Sequence, residues 1–255
     1  MQLLFLSDSM RVIIFYIILL FCFSTTFLFA KKAQSQTYRL LYKFVDKDTG
    51  EPIDGVSVRI LNTENQSEQV TVTGKDGETL VYLQPETMFL IRAYNRKYFS
   101  TDTIRLQTQT LPSEISKEDE RRNIRKEIAL EKINVGLVKK LIGVSFSPNS
   151  DEVLPQSKVI LKRLAYLLRL NPRIRIEVAA HTDSRGEDEY NLELTQRQAE
   201  ALKQFLMEQG IAEERIVARG FGESQLVNHC KNDIKCSSSE HIQNRRVEYV
   251  IIGLE

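Results

Sequence analysis

The chain has no tryptophan, only three cysteines and three histidines, and just six prolines and eleven glycines in 255 residues. So little glycine and proline excludes a collagen-like repeat or a Pro-rich disordered chain. Basic and acidic side chains nearly cancel, 35 against 34, for a formal net charge of +1. That balance argues against a nucleic-acid partner, which calls for a basic footprint. It suits a protein that works beside an anionic polymer without sticking to it nonspecifically. No series of alternating strands about 10 residues long runs through the sequence, so it does not spell a membrane barrel. No internal repeat is evident. All three histidines fall beyond residue 180, which leaves residues 38–133 without a Ser/His/Asp set or a metal cluster.

What the sequence does have begins with a targeting segment. Arg11 precedes an apolar run from Val12 to Ala30, followed by the polar Lys31-Lys32-Ala33-Gln34-Ser35. Ala33 and Ser35 put small residues at the two positions a signal peptidase reads, so residues 1–35 read as a signal peptide cleaved after Ser35. The run is also long enough to span a bilayer, and a retained anchor is the rival reading. Cys22 follows Phe21 rather than a small residue, which argues against a lipoprotein site. An exported chain meets an oxidising compartment, so Cys230 and Cys236 read as a disulfide. His229 and His241 flank them, but the spacing fits no common zinc pattern. No metal and no cofactor is assigned.

Two domains follow. Residues 36–133 read as all-β. Arg39–Val45 alternates imperfectly, Val56, Val58 and Ile60 alternate cleanly, and Leu80–Leu83 and Met88–Ala93 are rich in β-branched and aromatic residues. Asp48-Thr49-Gly50-Glu51-Pro52 and Gly74-Lys75-Asp76-Gly77 mark turns. A charge-dense stretch at 112–126 reads as a loop insertion before a last strand, Glu127–Ile133. Residues 134–255 alternate strand and helix. Leu137–Phe146 is strand-like. Ser157–Leu170 is helical with Leu161, Leu164 and Leu168 on one face, and Asn171-Pro172 stops it. Arg175–Ala180, Arg215–Ala218 and Val247–Ile252 read as strands, and Asp188–Gln209 as a helix stopped by Gly210. The fold class is therefore α+β in two domains: an N-terminal all-β sandwich, then a βαβαβ-type two-layer α/β sandwich with a mixed sheet.

Chemistry concentrates in Ala180-His181-Thr182-Asp183-Ser184-Arg185-Gly186, between a strand and a helix. A carboxylate and free helix N-terminal amides on one rim suit a zwitterion. Several motifs recur in order around it: Phe146 to Pro155, Asn191-x-x-Leu194-Thr195, Gly210-Ile211, Ala218–Glu223 and Asn244-Arg245-Arg246-Val247-Glu248. With these, the chain from about Gly143 onward resembles the OmpA C-terminal-like family of peptidoglycan-binding domains. The stretch Gly50–Val58, Thr73–Gly77 and Tyr98-Phe99 is similar, more loosely, to the carboxypeptidase-regulatory-like (transthyretin-like) β-sandwich.

The first resemblance implies noncovalent binding of peptidoglycan through the diaminopimelate of its stem peptide, with no catalysis. It implies a site made of Asn149, Asp183, Asn191 and Arg246, Asp183 taking the ligand's ammonium. The position fifteen residues after Asp183, where the family pairs an arginine with the ligand carboxylate, is Gln198 here. Arg197 projects about 100° away on a 3.6-residue helix. Gln198 still donates a hydrogen bond, without charge assistance, and Arg246 or Arg197 is expected to compensate in part. Arg245 is expected in an ion pair, and His181 as a strand-end structural residue.

These readings together describe an exported cell-envelope protein, periplasmic and associated with the wall and the outer membrane. It anchors an envelope component to peptidoglycan and holds a protein partner through its sandwich. The alternative is an interaction scaffold whose wall pocket has weakened or lapsed. A wall hydrolase using Asp183 and Glu187 lacks any nucleophile–base set.

Overall fold

The structure is a computed structural model and describes residues 38–108 and 123–254. The expected signal segment 1–35 and residues 112–122 of the charged stretch lie outside the described residues. Among the described residues, no helix is long and apolar enough to cross a membrane. The fold is α+β in two compact units.

The first unit comprises residues 38–45, 52–91, 103–108 and 123–128. Its strands are β1 (Tyr38–Asp46), β2 (Ser57–Asn62), β3 (Glu68–Val72), β4 (Glu78–Leu83), β5 (Met88–Tyr94), β6 (Ile104–Gln107) and β7 (Asn123–Leu130), some of which run on into the second unit. They form two sheets, ordered β4-β1-β7 and β3-β2-β5-β6. Alternation decides which faces are buried. Leu40, Tyr42 and Phe44 of β1 are buried, as are Val58 and Ile60 of β2, Val81 and Leu83 of β4, and Phe89 and Ile91 of β5.

The sequence reading omits β3 and β6. Val70 and Val72 of β3 are each 57% exposed, so that strand carries no buried row to signal it. β6 is only four residues long. The last strand begins at Asn123, not Glu127, and ends at Leu130, not Ile133. Residues 123–126 thus belong to the strand rather than to a loop. Arg125 and Lys126 are exposed on it, which is why the segment reads as a charged loop.

The second unit comprises Asp46–Glu51, Arg92–Asp102 and residues 129–254. The first two segments read from sequence as parts of the sandwich. Here Tyr98 donates its hydroxyl to Asp46 Oδ2 at 2.8 Å, and the Ser100 amide donates to Asn171 Oδ1 at 2.9 Å. Such long-range bonds leave no mark on local periodicity.

The sheet of this unit is ordered β10-β9-β11-β8, from β8 (Val138–Lys140), β9 (Ile174–His181), β10 (Ile216–Gly220) and β11 (Arg246–Leu254). β10 runs parallel to β9, and β11 antiparallel to both β9 and β8, so the sheet is mixed. A bulge interrupts the β11–β9 register between Ile251 and Gly253. The expected strand Leu137–Phe146 shrinks to Val138–Lys140, because the chain turns at Gly143 (φ +88°) and Phe146 makes only a single bridge, to Val153.

Three helices accompany the sheet: α1 (Pro155–Leu170), α2 (Asp188–Glu208) and α3 (Ser238–Asn244). Proline in the first turn of α1 lacks only an N–H that would have no helical partner. Asn171 closes that helix, donating its side-chain amide to the Leu167 carbonyl at 2.8 Å. Asp188 and Glu189 put acid in the first turn of α2, where the helix dipole favours it. The core joins Leu161, Leu164 and Leu168 of α1 and Leu202 and Leu206 of α2 to Ile174, Ile176 and Val178 of β9 and to Val247 and Ile251 of β11. Gly220, closing β10, lies against α2 so tightly that a Cβ there would sit 2.2 Å from the Gln196 amide nitrogen.

Candidate functional site

Strand β9 ends at His181, and the next residues, Thr182–Gly186, loop over to α2. The register pairs His181 with Arg246, the first residue of β11. A cavity of about 560 Å³ opens here. It is lined by the 144–149 loop, by His181, Thr182, Arg185 and Gly186, by Tyr190, Asn191, Leu194 and Gln198 of α2, and by Ile242 and Arg245–Val247. Four residues expected from the sequence therefore meet at one cavity: Asn149, Asn191, Gln198 and Arg246.

Asp183 is not among the lining residues; it is fully buried. Arg185 donates to it three times, through its backbone amide (3.1 Å) and Nε (3.2 Å) to Oδ1 and through Nη2 (2.8 Å) to Oδ2. Arg245 adds an Nε bond to Oδ2 at 2.5 Å. Burial works against the charge, but the Arg185 hydrogen bonds and Arg245 outweigh it and hold the carboxyl below its ordinary pKa. The two arginine side chains are themselves about half exposed, 46% and 55%. An ionised, buried acid thus lies under two guanidinium groups that water reaches.

Asn191 is buried on the first turns of α2. Its side-chain amide donates to Glu223 Oε2 at 2.8 Å and more loosely to the Asp183 and Arg185 carbonyls. It therefore ties the loop to the helix. Thr195, one turn on, accepts the Gly222 amide at 2.8 Å and returns its own hydroxyl to the Asn191 carbonyl. Gln198 donates its amide to the Ser150 carbonyl at 2.9 Å. It braces the loop in which Asn149 takes a left-handed φ of +52°, a conformation asparagine tolerates better than most residues. Arg246 is buried, its Nε on Glu248 at 2.8 Å and Nη1 on the Asn244 carbonyl at 3.2 Å.

Arg197, expected as a possible compensating charge, instead faces Glu193 at 3.8 Å and does not line the cavity. The cations that do line it without having been assigned to the site are Arg185 and Arg245. Arg185 stands two residues after Asp183, and that closeness was its signal in the sequence. Arg245 makes the ion pair expected of it, and its partner is Asp183.

His181 is buried, stacked on Phe221 with ring centroids 4.9 Å apart and planes 5° from parallel. Neither ring nitrogen has a hydrogen-bond partner. Burial first, then the Arg246 charge, push its pKa down to about 4 against a smaller pull from Glu248. The ring is a neutral wall of the cavity.

Behind the loop, the Ser184 hydroxyl donates to the Cys230 carbonyl at 2.6 Å. Cys230 and Cys236 are disulfide-bonded, their Cα atoms 5.9 Å apart. Asn232 reaches Asp188 at the start of α2, and Asn228 donates to the Glu240 carbonyl in α3. The stapled segment therefore buttresses the Asp183 loop and the short helix that leads into Arg245 and Arg246.

A mixed sheet with helices and a polar loop between β9 and α2 defines a recognisable class, and residues 145–238 match the OmpA family. The C-terminal half of the chain contains an OmpA-family domain. Over 112 residues it is 38% identical to outer membrane porin F of Pseudomonas fluorescens, which covers 44% of this chain and 33% of the porin. Over 110 residues it is 36% identical to the peptidoglycan-associated lipoprotein of Agrobacterium fabrum, covering 43% of this chain and 59% of the lipoprotein. The chain thus spans a third of one relative's length and less than two thirds of the other's. Among solved structures, the peptidoglycan-associated lipoprotein of Burkholderia pseudomallei is 28% identical, covers 46% of this chain and 86% of its own, and superposes with a TM-score of 0.36.

Proposed function

We propose that this protein is a noncovalent peptidoglycan anchor of the cell envelope. The carrying observation is a cavity of about 560 Å³, lined mostly by the OmpA-family stretch 145–238, on which Asn149, Asn191, Gln198 and Arg246 converge. A relative that shares this stretch is named for its association with peptidoglycan. The volume suits a small-molecule-sized group, such as the zwitterionic side-chain end of diaminopimelate. In this reading the ligand's ammonium takes a place on the Asp183 carboxylate that an arginine now holds. Its carboxylate takes guanidinium N–H groups released by that exchange. Binding of this kind needs positioned charges and no bond-making. Asp183, ionised and fully hydrogen-bonded, is poorly suited to donate a proton, so the reading is a binding module rather than a hydrolase. The partner held by the sandwich would be an envelope protein, and the setting is periplasmic, at the wall and outer membrane.

The test is co-sedimentation of the full chain with isolated peptidoglycan, wild type beside Asp183→Ala. Binding by the wild type that is lost in the variant supports the reading; failure of both to sediment overturns it. A second reading is favoured by one observation, the Gln198 bond to Ser150, which uses the amide where a cation would serve the ligand. It makes the chain a protein–protein scaffold with a lapsed pocket. A sandwich partner captured from envelope extract, with no wall binding, would select it.

A further inference from the structure

The disulfide sits inside a larger cluster. A ring nitrogen of His229, the Cys230 and Cys236 sulfurs and a Glu240 carboxylate oxygen all lie within 4.8 Å of one another. His229 Nε2 is 3.7 Å from Cys236 Sγ and 3.9 Å from Glu240 Oε1. The other oxygen of Glu240, Oε2, accepts the Ser237 amide at 2.8 Å and the Ser237 hydroxyl at 2.7 Å. The carboxylate is thereby fixed with Oε1 toward the imidazole. His229 is 70% exposed, whereas Cys230 is buried.

We propose that, in its dithiol form, this protein binds one zinc-class divalent cation through Cys230, Cys236, His229 and Glu240. Two thiolates, one imidazole and one carboxylate are a ligand set that zinc takes in tetrahedral geometry. Tetrahedral bonds to zinc put neighbouring ligand atoms roughly 3–4 Å apart, the spacing His229 already has to Cys236 and Glu240. The two sulfurs stand closer, because they are bonded to each other. The linear spacing Cys-x5-Cys hides this set, since the fourth ligand comes from α3 and is brought in by its capping box.

The chemistry balances without an unnamed participant. Every newly made chain starts as the dithiol. From the disulfide, a dithiol or phosphine reductant supplies two electrons, two protons are taken up, and the S–S bond becomes two thiols. Zinc then displaces two protons as it binds both sulfurs. The metal and the disulfide are mutually exclusive closures of the same segment, whose ends are six residues apart. Either one holds the Cys230 carbonyl where Ser184 reaches it.

The proposal is independent of wall binding and is tested on the full chain. The chain is reduced with a phosphine, freed of chelators and titrated with Co²⁺, then with Zn²⁺ against a chromogenic chelator. One equivalent of Co²⁺ is expected to give the thiolate charge-transfer and visible bands of a tetrahedral site, and Zn²⁺ to abolish them. The oxidised chain is expected to give neither. His229→Ala, at an exposed position, and Glu240→Gln should each weaken Zn²⁺ binding tenfold or more. No tetrahedral spectrum in the reduced chain would overturn the proposal. So would unchanged affinity in both variants, which would mean that the cysteines alone capture the metal.

Discussion

Gln198 on α2, which lines the cavity, donates one hydrogen bond of 2.9 Å to the Ser150 carbonyl next to the lining loop. The bond gives the glutamine a structural task. An arginine there would bring a full charge to the ligand carboxylate, and charge-assisted bonds are roughly twice as strong as neutral ones. Gln198→Arg is expected to tighten binding to isolated peptidoglycan by roughly tenfold, about 1.4 kcal/mol. Sedimentation isotherms for the two proteins check this. Equal or weaker binding by the arginine variant would mean that bracing the Asn149 loop matters more than the charge.

Asp183 gathers Arg185 from two residues away and Arg245 from 62 residues away. Its removal leaves two half-exposed guanidinium groups that water can solvate, so the loss should fall on binding more than on folding. Asp183→Ala is expected to weaken peptidoglycan binding by at least about thirtyfold, corresponding to roughly 2 kcal/mol or more for a buried charge contact. Circular dichroism should stay close to wild type. A variant that unfolds outright would instead assign Asp183 to the scaffold.

His181 should make the domain sensitive to acid. Its pKa is about 4 in the folded chain and about 6.5 when unfolded. Between those values the unfolded state binds more protons, so stability rises with pH. The contribution is complete above about pH 6.5 and is lost as pH falls toward about 4, on the order of 3 kcal/mol in all. Asp183, with its folded pKa depressed, adds a loss at still lower pH as it becomes protonated. Urea unfolding at pH 7 and pH 5 should show the drop, and His181→Phe, which keeps a ring against Phe221, should flatten it. Equal slopes in the two proteins would mean that the acid sensitivity lies elsewhere.

Gly220 has no space for a side chain, since its Cβ position meets α2 backbone at 2.2 Å. Gly220→Ala must move a helix or a strand, and is expected to destabilise the chain by about 3 kcal/mol, the upper end for overpacking. Thermal melting reads it directly. A melting temperature unchanged from wild type would show that β10 and α2 are not so tightly seated.

What could be read from the sequence followed the reach of each signal. The strands β1, β2, β4 and β5 carry a buried row at period two, and α1 and α2 carry one at helical period, so these elements are legible. β3 turns its valines outward and α3 is only seven residues long, so neither has a pattern to find, although Ser237-x-x-Glu240 is a capping box in plain view. Asn149, Asn191, Gln198 and Arg246 were placed together by ordered motifs. The part of the cover over Asp183 that Arg245 makes leaves no local mark, because Arg245 reaches it from 62 residues away. The Gln198–Ser150 bond spans 48 residues and is equally invisible to local pattern.

Arg245 and Arg246 are adjacent in the chain yet serve different partners, one reaching Asp183 and the other Glu248. A single-residue slip of β11 would set Arg245 or Val247 opposite His181 in place of Arg246 and turn the strand's side chains to the opposite faces. The bulge between Ile251 and Gly253 lies beyond them, toward the carboxyl end. It works as slack in a tether. The register offset is confined there, so the pairing of Arg246 with His181 and of Val247 with Ala180 runs in regular steps ahead of it.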